Sequence, residues 1–150
     1  MLFHRSLPLE TDTIAFATML APLLVPGDTL LLEGPIGAGK SAFARALIRA
    51  RLGRMEDVPS PTFTLVQTYE HADGDIWHCD LYRLTHPDEA LELGLDEAFA
   101  TAICLIEWPD RLGSDAPDDA LLLRFAAEID GHTVDVTAPS VWVDRLDVLQ

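Results

Sequence analysis

Residues 34–41 read Gly34-Pro35-Ile36-Gly37-Ala38-Gly39-Lys40-Ser41, the pattern G-x-x-x-x-G-K-[ST] of a loop that binds the phosphates of a nucleoside triphosphate. Glycines allow the backbone to curl until successive N–H groups point into one concavity that can hold phosphate oxygens. The ammonium group of Lys40 can reach the terminal phosphates, and the hydroxyl of Ser41 can hold Mg²⁺. The pattern therefore predicts a phosphate-binding loop.

The segments on either side of this loop support the prediction. Residues 29–32 form a short apolar run typical of a buried strand, and residues 41–49 are rich in helix formers. A strand, a glycine-rich loop and a helix in this order aim the positive end of the helix dipole at a bound anion. Lys40 is also the only lysine in the chain, and the other nine residues of the Lys and Arg total are arginines. A compact ammonium group thus occurs at the one position where the loop needs it.

Length and composition predict one globular domain over residues 1–150. The chain is 49% hydrophobic and 23% charged, which suits a protein with a single core. No apolar run is long enough to span a membrane, and the first residues lack the apolar segment of a signal peptide. We therefore expect a cytoplasmic protein without membrane contact. The two cysteines, Cys79 and Cys104, are expected to be buried free thiols, and the five histidines show no metal-ligand spacing.

The charge is distributed unevenly along the chain. Ten basic and 25 acidic residues give a net charge of −15, and the acidic excess lies beyond residue 55. Four arginines cluster on and just after the predicted loop helix: Arg45, Arg49, Arg51 and Arg54. They either complement the helix dipole or form a patch for an acidic partner or an RNA backbone. The acidic remainder argues against extensive direct binding of nucleic acid.

The remaining patterns predict a chain in which strands and helices alternate. We expect strands over 3–8, 29–32, 63–70, 76–82, 102–106, 121–128 and 133–137, and helical segments over 10–24, 41–52, 87–93, 95–100 and 140–149, the last as a helix or a tail. The unbroken apolar run 102–106 is typical of a central strand that is covered on both faces. The last two strands, joined at Asp130-Gly131, are expected to form a hairpin at an antiparallel edge.

Two acidic residues, one loop and one arginine are candidates for chemistry beside the phosphate loop. Glu107 directly follows the run 102–106, where an acid can hold Mg²⁺ or its water, or polarise the attacking water. Asp80, near the end of another predicted strand, either orients Mg²⁺ or water, or is a solvated strand residue. Residues 60–64 either sense the terminal phosphate or form an ordinary turn. Arg83 either stabilises charge on a transferred phosphate or is a surface residue.

Several classes of nucleotide-binding protein do not fit these residues. The Asn-Lys-x-Asp motif that recognises guanine cannot exist, because Lys40 is the only lysine, and the L-S-G-G-Q signature of ABC-type ATPases is absent. Small-metabolite kinases usually carry an arginine-rich lid, whereas the arginines beyond residue 55 are scattered. A kinase of a small molecule or protein and a nucleotide-dependent binding module stay open as alternatives to an ATPase.

Five segments taken together resemble the TsaE (YjeE) family. In order, they are Gly37-Ala38-Gly39-Lys40-Ser41, Ser60-Pro61-Thr62-Phe63-Thr64-Leu65-Val66, His78-Cys79-Asp80-Leu81-Tyr82-Arg83-Leu84, Leu93-Gly94 and Ile106-Glu107-Trp108-Pro109. The resemblance covers residues 27–112, and nothing after about residue 113 is diagnostic. It implies an α/β fold of the P-loop NTPase type, a three-layer sandwich in which a mixed parallel and antiparallel sheet is flanked by helices.

The resemblance also implies an activity and partners. The family comprises ATPases required for the threonylcarbamoyladenosine (t6A) modification of tRNA, which work with the proteins TsaB and TsaD and meet tRNA only indirectly or through that complex. ATP hydrolysis, slow in the ATPase alone, would drive or reset the TsaB–TsaD heterodimer.

Specific residues follow from the same resemblance. ATP and Mg²⁺ are the implied ligands, Lys40, Asp80 and Glu107 the implied catalytic residues, and Ser41 and Glu107 the implied metal ligands. The implied nucleotide contacts are Gly34, Pro35, Ile36, Gly37, Ala38, Gly39, Lys40, Ser41, Ala42, Thr62 and Trp108.

Overall fold

A computed structural model describes residues 1–149, and its centre is a sheet of seven strands. The strands are β1 (Leu2–Leu7), β2 (Thr29–Glu33), β3 (Val66–Tyr69), β4 (Ile76–Asp80), β5 (Ile103–Glu107), β6 (Leu121–Glu128) and β7 (Gly131–Thr137). The α-helices of this part of the chain are α1 (Glu10–Leu20), α2 (Lys40–Leu52), α3 (Asp88–Glu92), α4 (Leu95–Thr101) and α5 (Val143–Leu146). Short 3₁₀ helices cover Ala21–Leu23, Pro109–Asp115, Ser140–Trp142 and Asp147–Leu149.

The sheet has a parallel centre and antiparallel flanks. The strand order is β1-β7-β6-β2-β5-β4-β3. The pairs β6–β2, β2–β5 and β5–β4 are parallel, whereas β3 runs antiparallel to β4, and β7 runs antiparallel to both β6 and β1. The predicted α/β fold with a mixed sheet and flanking helices is therefore confirmed. The carboxyl ends of the parallel strands meet at one edge of the sheet, which is where such folds place their ligand sites.

The sheet is covered on both faces by apolar clusters. Successive side chains of a strand point to opposite faces, and β5 contributes Ile103 and Leu105 to one cluster but Cys104 and Ile106 to the other. The first cluster contains residues of α1 and α2, and the second contains residues of α3 and α4. All five residues of β5 are buried, so the prediction of a central strand covered on both faces is confirmed.

Two elements are more than two residues shorter than their sequence patterns predicted. The helix expected over 10–24 ends as an α-helix at Leu20, because Pro22 has no N–H to continue the hydrogen-bond ladder and the chain tightens into a 3₁₀ turn. The strand expected over 63–70 begins only at Val66. The residues before it form a turn in which the N–H of Leu65 donates to the backbone oxygen of Pro61 at 2.7 Å. Leu65 itself has a left-handed backbone (φ 69°), which no strand can accommodate.

The position of the last hairpin was predicted wrongly. The hairpin of β6 and β7 forms as expected, but β6 pairs with the central strand β2 and β7 is covered by β1. The hairpin is therefore interior, and β1 is the edge strand on that side of the sheet, opposite the other edge strand, β3. Local sequence patterns predict that two neighbouring strands form a hairpin. They do not predict which strands from distant parts of the sequence pair with that hairpin on either side. Residues 140–149 form three short helical turns, which bury Trp142, Leu146 and Leu149.

Candidate active site

The glycine-rich loop follows β2 and leads directly into α2. Gly34, Gly37 and Gly39 have φ values of 139°, 84° and 104°, which residues with a side chain rarely adopt. A Cβ at Gly34 would also lie 2.5 Å from the backbone oxygen of Phe125 on β6. Glycine is therefore required at position 34 for two separate reasons, conformation and space. The curled loop places the first turn of α2 beside it, as the sequence predicted.

A pocket of about 430 Å³ opens in front of this loop. It is lined by residues from five parts of the chain: Ile36, Gly37, Gly39, Lys40, Ser41, Ala42, Thr62, Asp80, Tyr82, Glu107, Trp108 and His132. The structure thus brings the loop, Thr62, Trp108 and both candidate acids into one cavity. Three residues of the predicted set lie elsewhere, since Gly34 and Pro35 line a different depression and the side chain of Ala38 is buried in the core.

Lys40 is buried at the base of the pocket. Its Nζ donates to the backbone oxygen of Gly34 at 2.5 Å and lies 3.9 Å from the ring centroid of Trp108. Burial lowers the pKa of Lys40, whereas the negative charges of Glu107, Asp80 and Asp110 act in the opposite direction. The ammonium group is thus held by one backbone carbonyl and one aromatic ring. An anionic phosphate oxygen is a stronger partner for it than a neutral carbonyl.

The two candidate acids lie side by side at the ends of adjacent parallel strands. Asp80 on β4 and Glu107 on β5 are register partners, and both are buried. One oxygen of Glu107, Oε2, lies 2.7 Å from Nε2 of His78. Asp80 accepts a hydrogen bond from the hydroxyl of Thr62 (3.1 Å) and another from the N–H of Tyr82 (3.0 Å). Each carboxylate is therefore fixed by its own partners.

The donor atoms around the pocket fit Mg²⁺ together with a nucleotide. The hydroxyl of Ser41 and the carboxylates of Asp80 and Glu107 are hard oxygen ligands, which Mg²⁺ prefers. Within residues 1–149, no group of three or more His, Cys, Asp or Glu residues could hold a metal ion. Mg²⁺ usually binds through one or two protein groups and the phosphates of a substrate, so this sparse set of ligands suits it.

The candidate loop at residues 60–64 reaches the pocket through a single residue. Thr62 is tied to Asp80 on one side and to the hydroxyl of Ser60 (2.8 Å) on the other. Phe63 beside it points into solvent, and the guanidinium of Arg83 lies 4.4 Å from its ring centroid. Arg83 does not line the pocket, and its guanidinium lies against Phe63 of the loop 60–64 instead.

The arginine cluster is largely engaged within the chain. The partners are the backbone oxygen of Glu56 for Arg49 (2.9 Å), the backbone oxygen of Ala21 for Arg51 (3.2 Å) and the carboxylate of Glu56 for Arg54 (3.0 Å). These contacts favour the interpretation that the arginines fix the end of α2, and they argue against a patch that binds nucleic acid.

Comparison with known proteins decides the family. Residues 7–134 match the profile of the family described as "Threonylcarbamoyl adenosine biosynthesis protein TsaE". The chain belongs to the TsaE family. The TsaE protein of Rickettsia bellii is 45% identical over 101 residues, which cover 67% of this chain and 70% of that protein. The TsaE protein of Haemophilus influenzae is 33% identical over 138 residues, which cover 88% and 87% of the two chains.

A solved structure has the same fold. The crystal structure of Bacillus subtilis YdiB superposes with a TM-score of 0.79 at 29% sequence identity, covering 99% of this chain and 93% of that one. The resemblance to the TsaE family that the five segments carried is therefore confirmed. None of the helices in residues 1–149 is long and apolar enough to cross a membrane.

Three residues at the site were not singled out as site residues from the sequence: His132 and Tyr82 line the pocket, whereas His78 contacts Glu107 without lining it. His132 on β7 lies with Nε2 3.0 Å from the backbone oxygen of Gly37, and nothing in the sequence near it signals this contact. The ring of Tyr82 packs against that of Trp108, with centroids 4.9 Å apart. His78, which contacts Glu107, lies two residues before Asp80 and so on the same face of β4. Its spacing from Asp80 is the signal from which it could have been found.

Proposed function

We propose that this protein hydrolyses ATP as the TsaE component of the pathway that makes threonylcarbamoyladenosine in tRNA. Its relatives carry the name "tRNA threonylcarbamoyladenosine biosynthesis protein TsaE", which supports the pathway. The observation that carries the activity is the meeting of Lys40, Asp80 and Glu107 in one pocket with the glycine-rich loop. A binding site needs the loop alone, whereas hydrolysis also needs buried acids placed to act on water.

The loop and Lys40 would bind the phosphates of ATP. The backbone N–H groups of the curled loop and the N-terminus of α2 favour an anion in the pocket. Lys40 would exchange its contact with the backbone oxygen of Gly34 for an oxygen of the terminal phosphates. Because Trp108 lies against the ammonium group, the binding of ATP would change the surroundings of its ring.

The remaining residues would act on the metal and the water. Mg²⁺, held by Ser41 and Glu107, would neutralise charge on the phosphates. Asp80 and Glu107 are close enough to share the tasks of holding the metal and orienting the attacking water. Thr62 would report the state of the nucleotide, because its hydroxyl can leave Asp80 for a phosphate oxygen or the metal and move the loop around it.

Partner binding is proposed at the mouth of the pocket. Two large apolar side chains there are almost fully exposed, Ile36 at 84% and Phe63 at 78%. Exposed apolar groups beside a loop that responds to nucleotide are suited to contact another protein. We propose that the TsaB–TsaD heterodimer is this partner and that it accelerates hydrolysis. The net charge of −15 favours contact with tRNA through that complex instead of directly.

A nucleotide-dependent binding module is the second candidate. The bond between Thr62 and Asp80 links the exposed Phe63 loop to the pocket, so that binding of ATP alone could reshape the docking surface. This candidate needs no turnover. A kinase is the third candidate and would transfer phosphate to an acceptor instead of water.

Phosphate release from ATP tests these candidates. It should be low for the protein alone, rise when TsaB and TsaD are added, and fall in Glu107→Ala but not in Glu92→Ala, which removes an exposed carboxylate on α3. A rate of ATP hydrolysis that is the same with and without TsaB and TsaD would contradict the proposed function and lead to a search for a phosphate acceptor. Partner binding that needs ATP but survives Glu107→Ala without any turnover would favour the binding module.

A further inference from the structure

A buried histidine contacts the acid that ends the central strand. The side chains of His78 and Glu107 are 2% and 3% exposed, and Nε2 of the imidazole lies 2.7 Å from Oε2 of the carboxylate. An ionised carboxylate can only accept a hydrogen bond, so Nε2 carries the hydrogen and donates it. The contact joins β4 to β5 below the pocket, at two strands that pair in parallel.

The other nitrogen of His78 has no partner. Nδ1 is buried and makes no hydrogen bond to any residue in the range 1–149. Buried polar groups are nearly always paired, so a histidine kept only to fill the core would be expected to satisfy both nitrogens or to be replaced by an apolar residue. The bond to Glu107 is therefore the one polar interaction that the imidazole makes at this position.

The two acids of the pocket are held in different ways. Asp80 is held by Thr62, which lies in a turn open to solvent, and by the N–H of Tyr82 in the chain that follows β4. Glu107 is held by a side chain buried in the middle of a strand. Movement of the loop at Thr62 would remove one of the two hydrogen bonds to Asp80 but would leave the contact of Glu107 with His78 unchanged.

We propose that His78 is a positioning residue for Glu107. It fixes Oε2, so that Oε1 is the oxygen left for the metal or for water, and it keeps this arrangement in every state of the loop. The inference rests on the proposed function, since Glu107 must act in hydrolysis for its placement to matter. Partners of this kind, which orient a metal-binding or catalytic group, typically change activity about 10–100-fold when they are removed.

Three substitutions of His78 separate positioning from packing. In His78→Gln, the side-chain amide N–H takes the position of Nε2 and can still donate to Glu107. In His78→Asn, the amide N–H takes the position of Nδ1, which is too far from Glu107. His78→Leu has no donor at either position. We expect kcat for ATP to fall about 10–100-fold in the Leu and Asn variants. The Gln variant should recover most of that loss. KM for ATP and the affinity for ADP should change less than about threefold, because the phosphate loop is untouched.

A double-mutant cycle shows whether His78 acts through Glu107. In a Glu107→Gln background, His78→Leu should lower kcat by no more than about twofold, since the carboxylate it positions is already gone. An equal loss in both backgrounds, or full activity of His78→Leu, would overturn the proposal. If His78→Leu does not fold, as judged by its melting temperature, the Gln and Asn variants carry the comparison. Equal activity of those two would also overturn it.

A readout without nucleotide separates this inference from the proposed function. In the ¹⁵N spectrum of the histidine rings, the Nε2 resonance of His78 should show a bound hydrogen and should shift in Glu107→Gln. An Nε2 resonance that shows no bound hydrogen, or whose chemical shift is the same in Glu107→Gln as in the unaltered protein, would refute the contact itself. If Glu107→Gln hydrolyses ATP at the full rate while that resonance behaves as expected, the proposed function fails and the contact stands.

Discussion

The close approach of the phosphate loop to β6 makes Gly34→Ala the most informative stability variant. The added methyl group would lie 2.5 Å from the backbone oxygen of Phe125 and 3.2 Å from its carbonyl carbon. Neither strand can yield easily, because Glu33 on β2 and Arg124 on β6 are register partners immediately before these residues. Gly37→Ala is the matched control, since its backbone also has a positive φ but no atom lies within 4 Å of the new methyl group.

The expected difference follows from two terms. Backbone strain at a conformation that suits only glycine costs about 1–3 kcal/mol, and relieving the overlap with Phe125 costs about 1–3 kcal/mol more. The reduced freedom of the unfolded chain returns about 0.4–1 kcal/mol in either variant. Gly34→Ala should therefore lose about 1–5 kcal/mol of unfolding free energy, whereas Gly37→Ala should lose at most about 2.5 kcal/mol because only the strain term applies.

Urea unfolding followed by circular dichroism measures both variants against the unaltered protein. The two variants differ by the overlap term, and a difference of about 2 kcal/mol corresponds to a melting temperature about 4–8 °C lower for Gly34→Ala than for Gly37→Ala. The reasoning is refuted if the two variants unfold within about 1 kcal/mol of each other at equal m-values, or if Gly37→Ala is the less stable one.

Three further predictions concern charges and thiols. Arg145 donates to both oxygens of the largely buried Asp28 (2.6 and 3.1 Å), so Arg145→Met should lower the free energy of unfolding in urea by about 2–4 kcal/mol. Asp135→Ala removes an exposed contact with His4 and should cost under about 0.5 kcal/mol. Equal costs for the two variants would contradict this prediction. Cys79 and Cys104 are fully buried, so neither should react with a thiol reagent at pH 8 until urea unfolds the chain, and fast labelling of the folded protein would be inconsistent with the core described. Burial raises the pKa of Cys104 to about 12, and the unfolded thiol ionises near 9, so between these values only the unfolded state loses the proton and stability should fall as the pH rises. The fall should be shallower in Cys104→Ala by up to about 1.4 kcal/mol per pH unit, and an unchanged slope would exclude this thiol as a cause.

The parts of the site that follow local rules were accessible from the sequence. The phosphate loop, the strand before it and the helix after it rely on glycine positions and short-range periodicity, and all three form where they were expected. Glu107 was found because it follows an unbroken apolar run, and Asp80 because it lies near the end of another predicted strand. Parallel pairing of the two strands then places the acids side by side. Their roles, and those of the other site residues, stay predictions, as does the organisation of residues 1–150 as one domain.

The parts that depend on contacts between distant segments were not accessible. His132 reaches Gly37 only because β7 returns beside the centre of the sheet, and no pattern around residue 132 encodes that order. The turn before β3 has strand-forming residues such as Phe63 and Thr64, but the hydrogen bond from Leu65 to Pro61 and the tie between Thr62 and Asp80 outweigh their preference. Propensity fails here at a loop that the proposed function uses, where tertiary contacts decide the backbone.

Calorimetric titration of ADP with Mg²⁺ into Lys40→Met tests the central claim most directly. Met keeps the length and packing of the lysine stem against Trp108 but removes the ammonium group that the pocket offers to phosphate. The unaltered protein should bind one nucleotide per chain, Lys40→Met should bind at least about tenfold more weakly, and the exposed Arg54→Ala should bind as the unaltered protein does. Equal affinity of Lys40→Met and the unaltered protein would contradict the assignment of this pocket as the nucleotide site.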